Sequence, residues 1–141
     1  MMLQSNAWSC LPTAAAMCMY SEPREITDAI GHDGSEIWFP DQPEPANRRG
    51  FHVQEIIDVL VANFEVPVFI EAVPYILDKD VPVHPERMEA YLHDFPGILL
   101  GQHADTKTGH AVAWDTHICW DPRGQKYSVQ DFGIMGFIAL M

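Results

Sequence analysis

Cys10 stands two residues ahead of Pro12, and Ala14-Ala15-Ala16-Met17 follow closely. Proline is tolerated in the first turn of a helix, where its missing N–H would have had no partner. The spacing therefore predicts a helix over residues 11–20 with Cys10 at or just before its N-terminus. A helix start carries about half a positive charge and several unpaired N–H groups. Both favour a thiolate over a thiol, which turns a cysteine into a nucleophile. Gln4, six residues upstream, is near enough for its amide to donate to an oxyanion formed beside the sulfur. The plainer role for Cys10 is burial, since free cysteine is among the most buried residue types.

A nucleophilic sulfur needs a base, and the base needs a group that orients it. Of seven histidines, His110 opens a β-type run after Gly109 and precedes the small residues Ala111-Val112-Ala113. Asp121 lies on the next such run, just before Pro122. A two-residue turn at Thr116-His117 sets Asp115 opposite Ile118 and Val112 opposite Asp121. His110 and Asp121 then share one sheet face as diagonal neighbours, roughly 7–8 Å apart along the backbone. Slipping the register by one residue would send them to opposite faces. Taken singly, His110 also fits a surface position at a strand start, and Asp121 a turn residue before proline. Asp105 and Asp115 are weaker orienters. His32, His52, His84, His93, His103 and His117 fall in predicted loops or helix ends and are assigned no role. No histidine pair has the helical HExxH spacing, so no metal or other cofactor is expected.

Further elements must position these groups. A second helix is predicted over residues 22–30, with Ser21 as N-cap, Pro23 in the first turn and Gly31 after the last. Residues 31–50 form a long irregular stretch, a candidate cleft wall with Trp38 and Phe39 as its apolar contacts. Residues 51–63 read as a third helix, 66–73 as a strand and 85–95 as a short helix. From Gly97 the pattern turns to strands: 97–102, 110–115, 117–121, 126–129 and 134–140, the last closing the sheet. Helices followed by an antiparallel sheet make one α+β domain spanning residues 1–141, with the Cys10 helix packed on the sheet.

Composition narrows the possible partners. The chain has 141 residues, 48% hydrophobic and 20% charged, with formal charge −12, which suits a soluble globule. A field of that sign repels phosphates and argues against nucleic acid. Three cysteines, Cys10, Cys18 and Cys119, make a poor disulfide framework and fit a cytoplasmic setting. Cys18 is expected in the core. Neither a signal peptide nor a membrane span is read in the sequence.

Gln4, Cys10 leading a helix, Gly109-His110-Ala-Val and Cys-Trp-Asp121-Pro122 together resemble the papain-like cysteine peptidases. Within that superfamily the chain is most similar to the double-glycine, or bacteriocin-leader, peptidase-like group. The resemblance covers nearly the whole chain and implies a papain-like α+β fold. It implies Cys10 as nucleophile, His110 as base, Asp121 as orienter and Gln4 as oxyanion donor, acting on a peptide or amide bond of a peptide or protein substrate. Leu11 stands where that group commonly has glycine. Two other uses of the same residues stay open: an amidase, deamidase or transglutaminase-like acyl transfer, and a papain-fold binding module without turnover.

Overall fold

The computed structural model describes residues 1–71, 85–103 and 109–141. Helix α1 (Cys10–Met19) begins where Ser9 O accepts from both the Thr13 N–H, at 3.2 Å, and the Thr13 hydroxyl, at 2.7 Å. It ends at Tyr20, a left-handed residue with φ 54° whose N–H bonds Ala16 O. Helix α2 (Pro23–Ile30) stops at Gly31, φ 96°, as the sequence predicts. Its N-cap is Glu22 and not Ser21. Pro23 drives the preceding residue into extended backbone, so Glu22, at ψ 145°, is where the chain turns in. Helix α3 (Val53–Ala62) starts in a capping box: His52 Nδ1 accepts from the Gln54 N–H, and Glu55 Oε1 accepts from the His52 N–H.

Six antiparallel strands build one sheet: β1 (Pro67–Glu71), β2 (Gly97–His103), β3 (His110–Trp114), β4 (Cys119–Asp121), β5 (Gln125–Tyr127) and β6 (Phe132–Leu140), in the order β1-β6-β2-β3-β4-β5. Between β1 and β2 comes helix α4 (Pro85–Asp94). Residues 72 and 73 of the strand predicted over 66–73 lie outside the described residues. Two expectations need correcting. Strand β6 does not close the sheet at its edge but runs through its interior, between β1 and β2. Its sequence, Phe-Gly-Ile-Met-Gly-Phe-Ile-Ala-Leu, is apolar at nearly every position, which suits a strand covered on both faces. Val129 belongs to a 3-10 turn, Val129–Asp131, and not to a strand. The Ser128 hydroxyl accepts from the Gln130 N–H and draws the backbone out of the ladder.

Alternation along the strands splits the interior into two cores. On one face Ile98, Ala111, Ile138 and Leu140 meet Leu11, Ala14, Ala15 and Ala16 of α1, together with Ile26 of α2 and Ile56 and Leu60 of α3. The three alanines are fully buried, and their small side chains let α1 settle close on the sheet. On the other face Leu99, Val112, Trp114, Phe137 and Ala139 pack against Met88 and Leu92 of α4, where Trp114 Nε1 donates to Leu92 O at 2.8 Å. The arrangement is α+β, with the Cys10 helix against the sheet. Among the described residues, no helix is long and apolar enough to cross a membrane.

Strands β2 and β6 approach so closely at Gly97 that a Cβ there would lie 2.0 Å from Ile138 O. Backbone oxygens at that position have nowhere to go without breaking the β2–β6 ladder. Gly97→Ala should lower the unfolding free energy by at least the ~1–3 kcal/mol typical of an overpacked core. Urea denaturation measures it, and a wild-type midpoint would contradict this account of the close approach.

Candidate active site

The β3–β4 hairpin sets the geometry. Ala113 pairs with Trp120 and Trp114 with Cys119, and Asp115 N–H reaches Ile118 O at 3.4 Å. This is the register of a two-residue turn at Thr116-His117, with Thr116 at φ 78°. His110 and Asp121 therefore project from one face, and His110 Nε2 lies 2.8 Å from Asp121 Oδ1.

Asp121 has no exposed surface. A buried carboxylate is tolerated only when its lone pairs are matched, and here they are. Oδ1 accepts from His110 Nε2 and, at 2.8 Å, from the Arg123 backbone N–H. Oδ2 accepts from the Tyr127 hydroxyl at 2.7 Å and from Arg123 Nη2 at 3.0 Å. Arg123 Nε stands 3.3 Å from both oxygens. Burial alone would raise the Asp121 pKa. The hydrogen bonds from His110, Arg123 and Tyr127 outweigh it and hold the carboxyl well below the usual carboxylate range. The turn that brings Arg123 back needs Gly124, at φ 100°, whose N–H bonds Asp121 O at 2.9 Å.

His110 is 7% exposed. Burial works against its charged form, but the hydrogen bond to Asp121 and the hydrogen bonding and charge of Cys10 push its pKa up to about 9. Nε2 is committed to Asp121, which leaves Nδ1 as the ring nitrogen for the Cys10 sulfur. Cys10 and His110 border the same cavity of about 610 Å³. Its remaining wall is mostly apolar, including Trp8 and Leu11 beside Cys10, Phe51 ahead of α3, Phe69 of β1 and Met135 of β6. Cys10, His110 and Asp121 are thus brought together. Cys18 and Cys119 are the other two thiols, and burial pushes each up to about 12. Cys18 is partly buried against the α1 core, with its sulfur 3.1 Å from Gly97 O.

The backbone of Gln4 lies beside the site, but its side chain does not enter the cavity. Its backbone N–H donates to Pro122 O at 2.8 Å, which ties the N-terminal segment to the residue after Asp121. Its Nε2 donates to Asn6 O at 2.7 Å, and its Oε1 is buried without a partner. It is not one of the cavity-lining residues. The loop 31–50 does wall the cavity, but through Pro45, Ala46, Arg49 and Gly50. Trp38 and Phe39 are about half exposed and do not line it. The reason is local pairing: Ile37 bridges Arg48, and Arg49 stacks over the Trp38 ring at 5.2 Å, which holds that ring to the loop itself. Trp8 is pinned in the cavity wall by Arg48, 4.8 Å above its ring, and by a bond from Nε1 to Asp33 O.

Asp115 is occupied with the hairpin turn. Its Oδ1 accepts from the His117 and Ile118 N–H groups, and its Oδ2 from Trp120 Nε1, each at 2.8 Å. Asp105 and His84 lie outside the described residues. Among the described residues no group of three or more His, Cys, Asp or Glu side chains is arranged to hold a metal ion. Sequence reasoning missed Arg123 and Tyr127. Tyr127 had a signal: it pairs with Cys119 across β4–β5, one diagonal step from Asp121 on the same face. No protein-family model matches this chain, and no curated protein matches it.

The raised His110 value has a consequence for stability. A group whose folded pKa lies above its unfolded value of about 6.5 contributes fully below that pH and loses its contribution as pH rises through the folded value. Chemical denaturation between pH 6 and 10 should therefore show a decline from His110 that ends near pH 9. The same series on His110→Gln should lack that component. Superimposable pH profiles would contradict the assignment.

Proposed function

We propose that this chain is a papain-like cysteine hydrolase that cleaves a peptide or amide bond through Cys10, His110 and Asp121. The observation that carries the reading is the placement of His110. One ring nitrogen is bound to a buried, ionised aspartate, and the imidazole borders the same cavity as the cysteine that begins α1.

The chemistry follows from those positions. With a pKa of about 9, His110 is an imidazolium at neutral pH and a fitting counter-ion for a Cys10 thiolate. The sulfur attacks the substrate carbonyl, forming a C–S bond and an oxyanion. The backbone N–H of Cys10, the first residue of α1, belongs to the set that a helix leaves without intrahelical partners and is one oxyanion donor. Gln4, whose side chain does not line the cavity and whose Nε2 bonds Asn6 O, becomes the other donor by turning its amide toward the oxyanion. As the C–N bond breaks, His110 gives its Nδ1 proton to the leaving amine, leaving a thioester. His110 then takes a proton from water, whose oxygen attacks the thioester, and the acid departs with the thiolate restored. Asp121 keeps the imidazole proton on Nε2 throughout.

Leu11 is compatible with this reading. It is 7% exposed and packs in the α1 core, so although it borders the cavity most of its side chain is turned inward. A charge of −12 favours a peptide or protein substrate over nucleic acid.

Two experiments test the proposal. Limiting iodoacetamide at neutral pH should alkylate Cys10 well before Cys18 and Cys119, read by peptide mass spectrometry; uniform slow labelling would favour a binding module without turnover. Against a fluorogenic peptide library, Cys10→Ala should abolish whatever hydrolysis the wild type shows. Gln4→Ala should reduce kcat by about 10²–10³, the ~2.7–4 kcal/mol cost of losing one oxyanion donor. Full activity in Cys10→Ala would overturn the mechanism.

A further inference from the structure

The mechanism assigns Asp121 the work of orienting His110, but a carboxylate on a single Cβ–Cγ bond can rotate. What stops it is the arrangement on its far side. We propose that Tyr127 and Arg123 are positioning residues that lock the Asp121 carboxylate, so that Oδ1 stays aimed at His110 Nε2. The proposal rests on the reading of Asp121 as orienter, although its key readout does not need Cys10 to be a nucleophile.

Each oxygen of Asp121 has its own donors. Oδ2 takes the Tyr127 hydroxyl at 2.7 Å and Arg123 Nη2 at 3.0 Å. Oδ1 takes His110 Nε2 and the Arg123 backbone N–H, each at 2.8 Å, while Arg123 Nε at 3.3 Å spans both. The donors come from three directions: β3, the turn after β4, and β5. Rotating the carboxylate would break several bonds to a group with no exposed surface, where an unmatched acceptor is costly. The donors are themselves held. The His103 ring lies on the Tyr127 ring, centroids 4.4 Å apart, and Arg123 Nη2 is 3.5 Å from His103 Nδ1. Among the described residues, other charged or titratable groups acting here include the Cys119 thiol, whose charged form burial, Asp115, Asp121 and Asp131 oppose, and Cys10 across the His110 ring. The Gln4 N–H on Pro122 O fixes the backbone of the turn. Tyr127 adds a specific restraint, because its hydroxyl donates to Oδ2 from β5.

The test is nitrogen-15 NMR of the histidine rings in the full chain, which reads the titration midpoint and, once His110 is neutral, which ring nitrogen holds the proton. The wild type should keep the proton on Nε2. Tyr127→Phe removes one hydroxyl and retains the ring against His103; Arg123→Gln removes the fork. With circular dichroism unchanged, each should shift the His110 tautomer ratio several-fold toward Nδ1–H and speed exchange of the Nε2 proton. A merely structural role would lower stability and leave both readings as in the wild type. Unchanged tautomer and exchange in a folded variant would overturn the proposal. So would a neutral wild-type His110 protonated on Nδ1, a result that needs no variant to fold. Altered tautomers without selective Cys10 alkylation would support the positioning and sink the hydrolase reading. Selective alkylation with unaltered tautomers would do the reverse.

Discussion

A carboxylate with no exposed surface, Asp121, is the constraint around which the C-terminal half of the chain is arranged. An isolated buried charge is too costly to keep, so every neighbour of Asp121 must be a donor held in place. The β3–β4 turn delivers His110, the Pro122-Arg123-Gly124 turn delivers a guanidinium and a backbone N–H, and β5 delivers a phenol. The N-terminal segment joins the same knot through Gln4 and Pro122. Removing any one part leaves the others around an unsatisfied charge. This ties the electrostatics of the site to the integrity of the sheet edge.

The other half of the site is a matter of packing. Cys10 reaches His110 because α1 lies close on the sheet, and it lies close because Ala14, Ala15 and Ala16 have little volume. Gly97 permits a matching close approach between β2 and β6. The cavity is then walled by the loop 31–50, which is held by its own bridge and by arginines over Trp8 and Trp38. Helix α1 and the sheet thus supply the sulfur and the imidazole, while a braced loop supplies part of the cavity wall.

Much of this was legible in the sequence, and for physical reasons. The period of two along a strand and a two-residue turn fix a register, so the shared face of His110 and Asp121 followed from counting. Pro12 ahead of the alanines and Gly31 after Ile30 marked helix ends because each residue restricts backbone geometry. Other features depend on the finished fold. Nothing local says that the last strand enters the middle of the sheet, because order in a sheet is set by long-range pairing. The Glu22 cap turned on how Pro23 constrains its neighbour. Trp38 and Phe39 were expected in the cleft on hydrophobicity alone, but pairing within the loop directs them elsewhere. Arg123 and Tyr127 escaped notice because their role appears only once Asp121 is known to be buried.

The proposed chemistry depends on the Cys10 sulfur and the His110 imidazole acting as a pair. The most direct measurement is the rate of Cys10 alkylation at neutral pH in the wild type and in His110→Ala, with Cys18 as internal reference. A cationic neighbour that favours the thiolate by ~1.4 kcal/mol changes that rate by about tenfold. The account predicts a fall of at least that order when the imidazole is removed. Equal rates in the two proteins would contradict it.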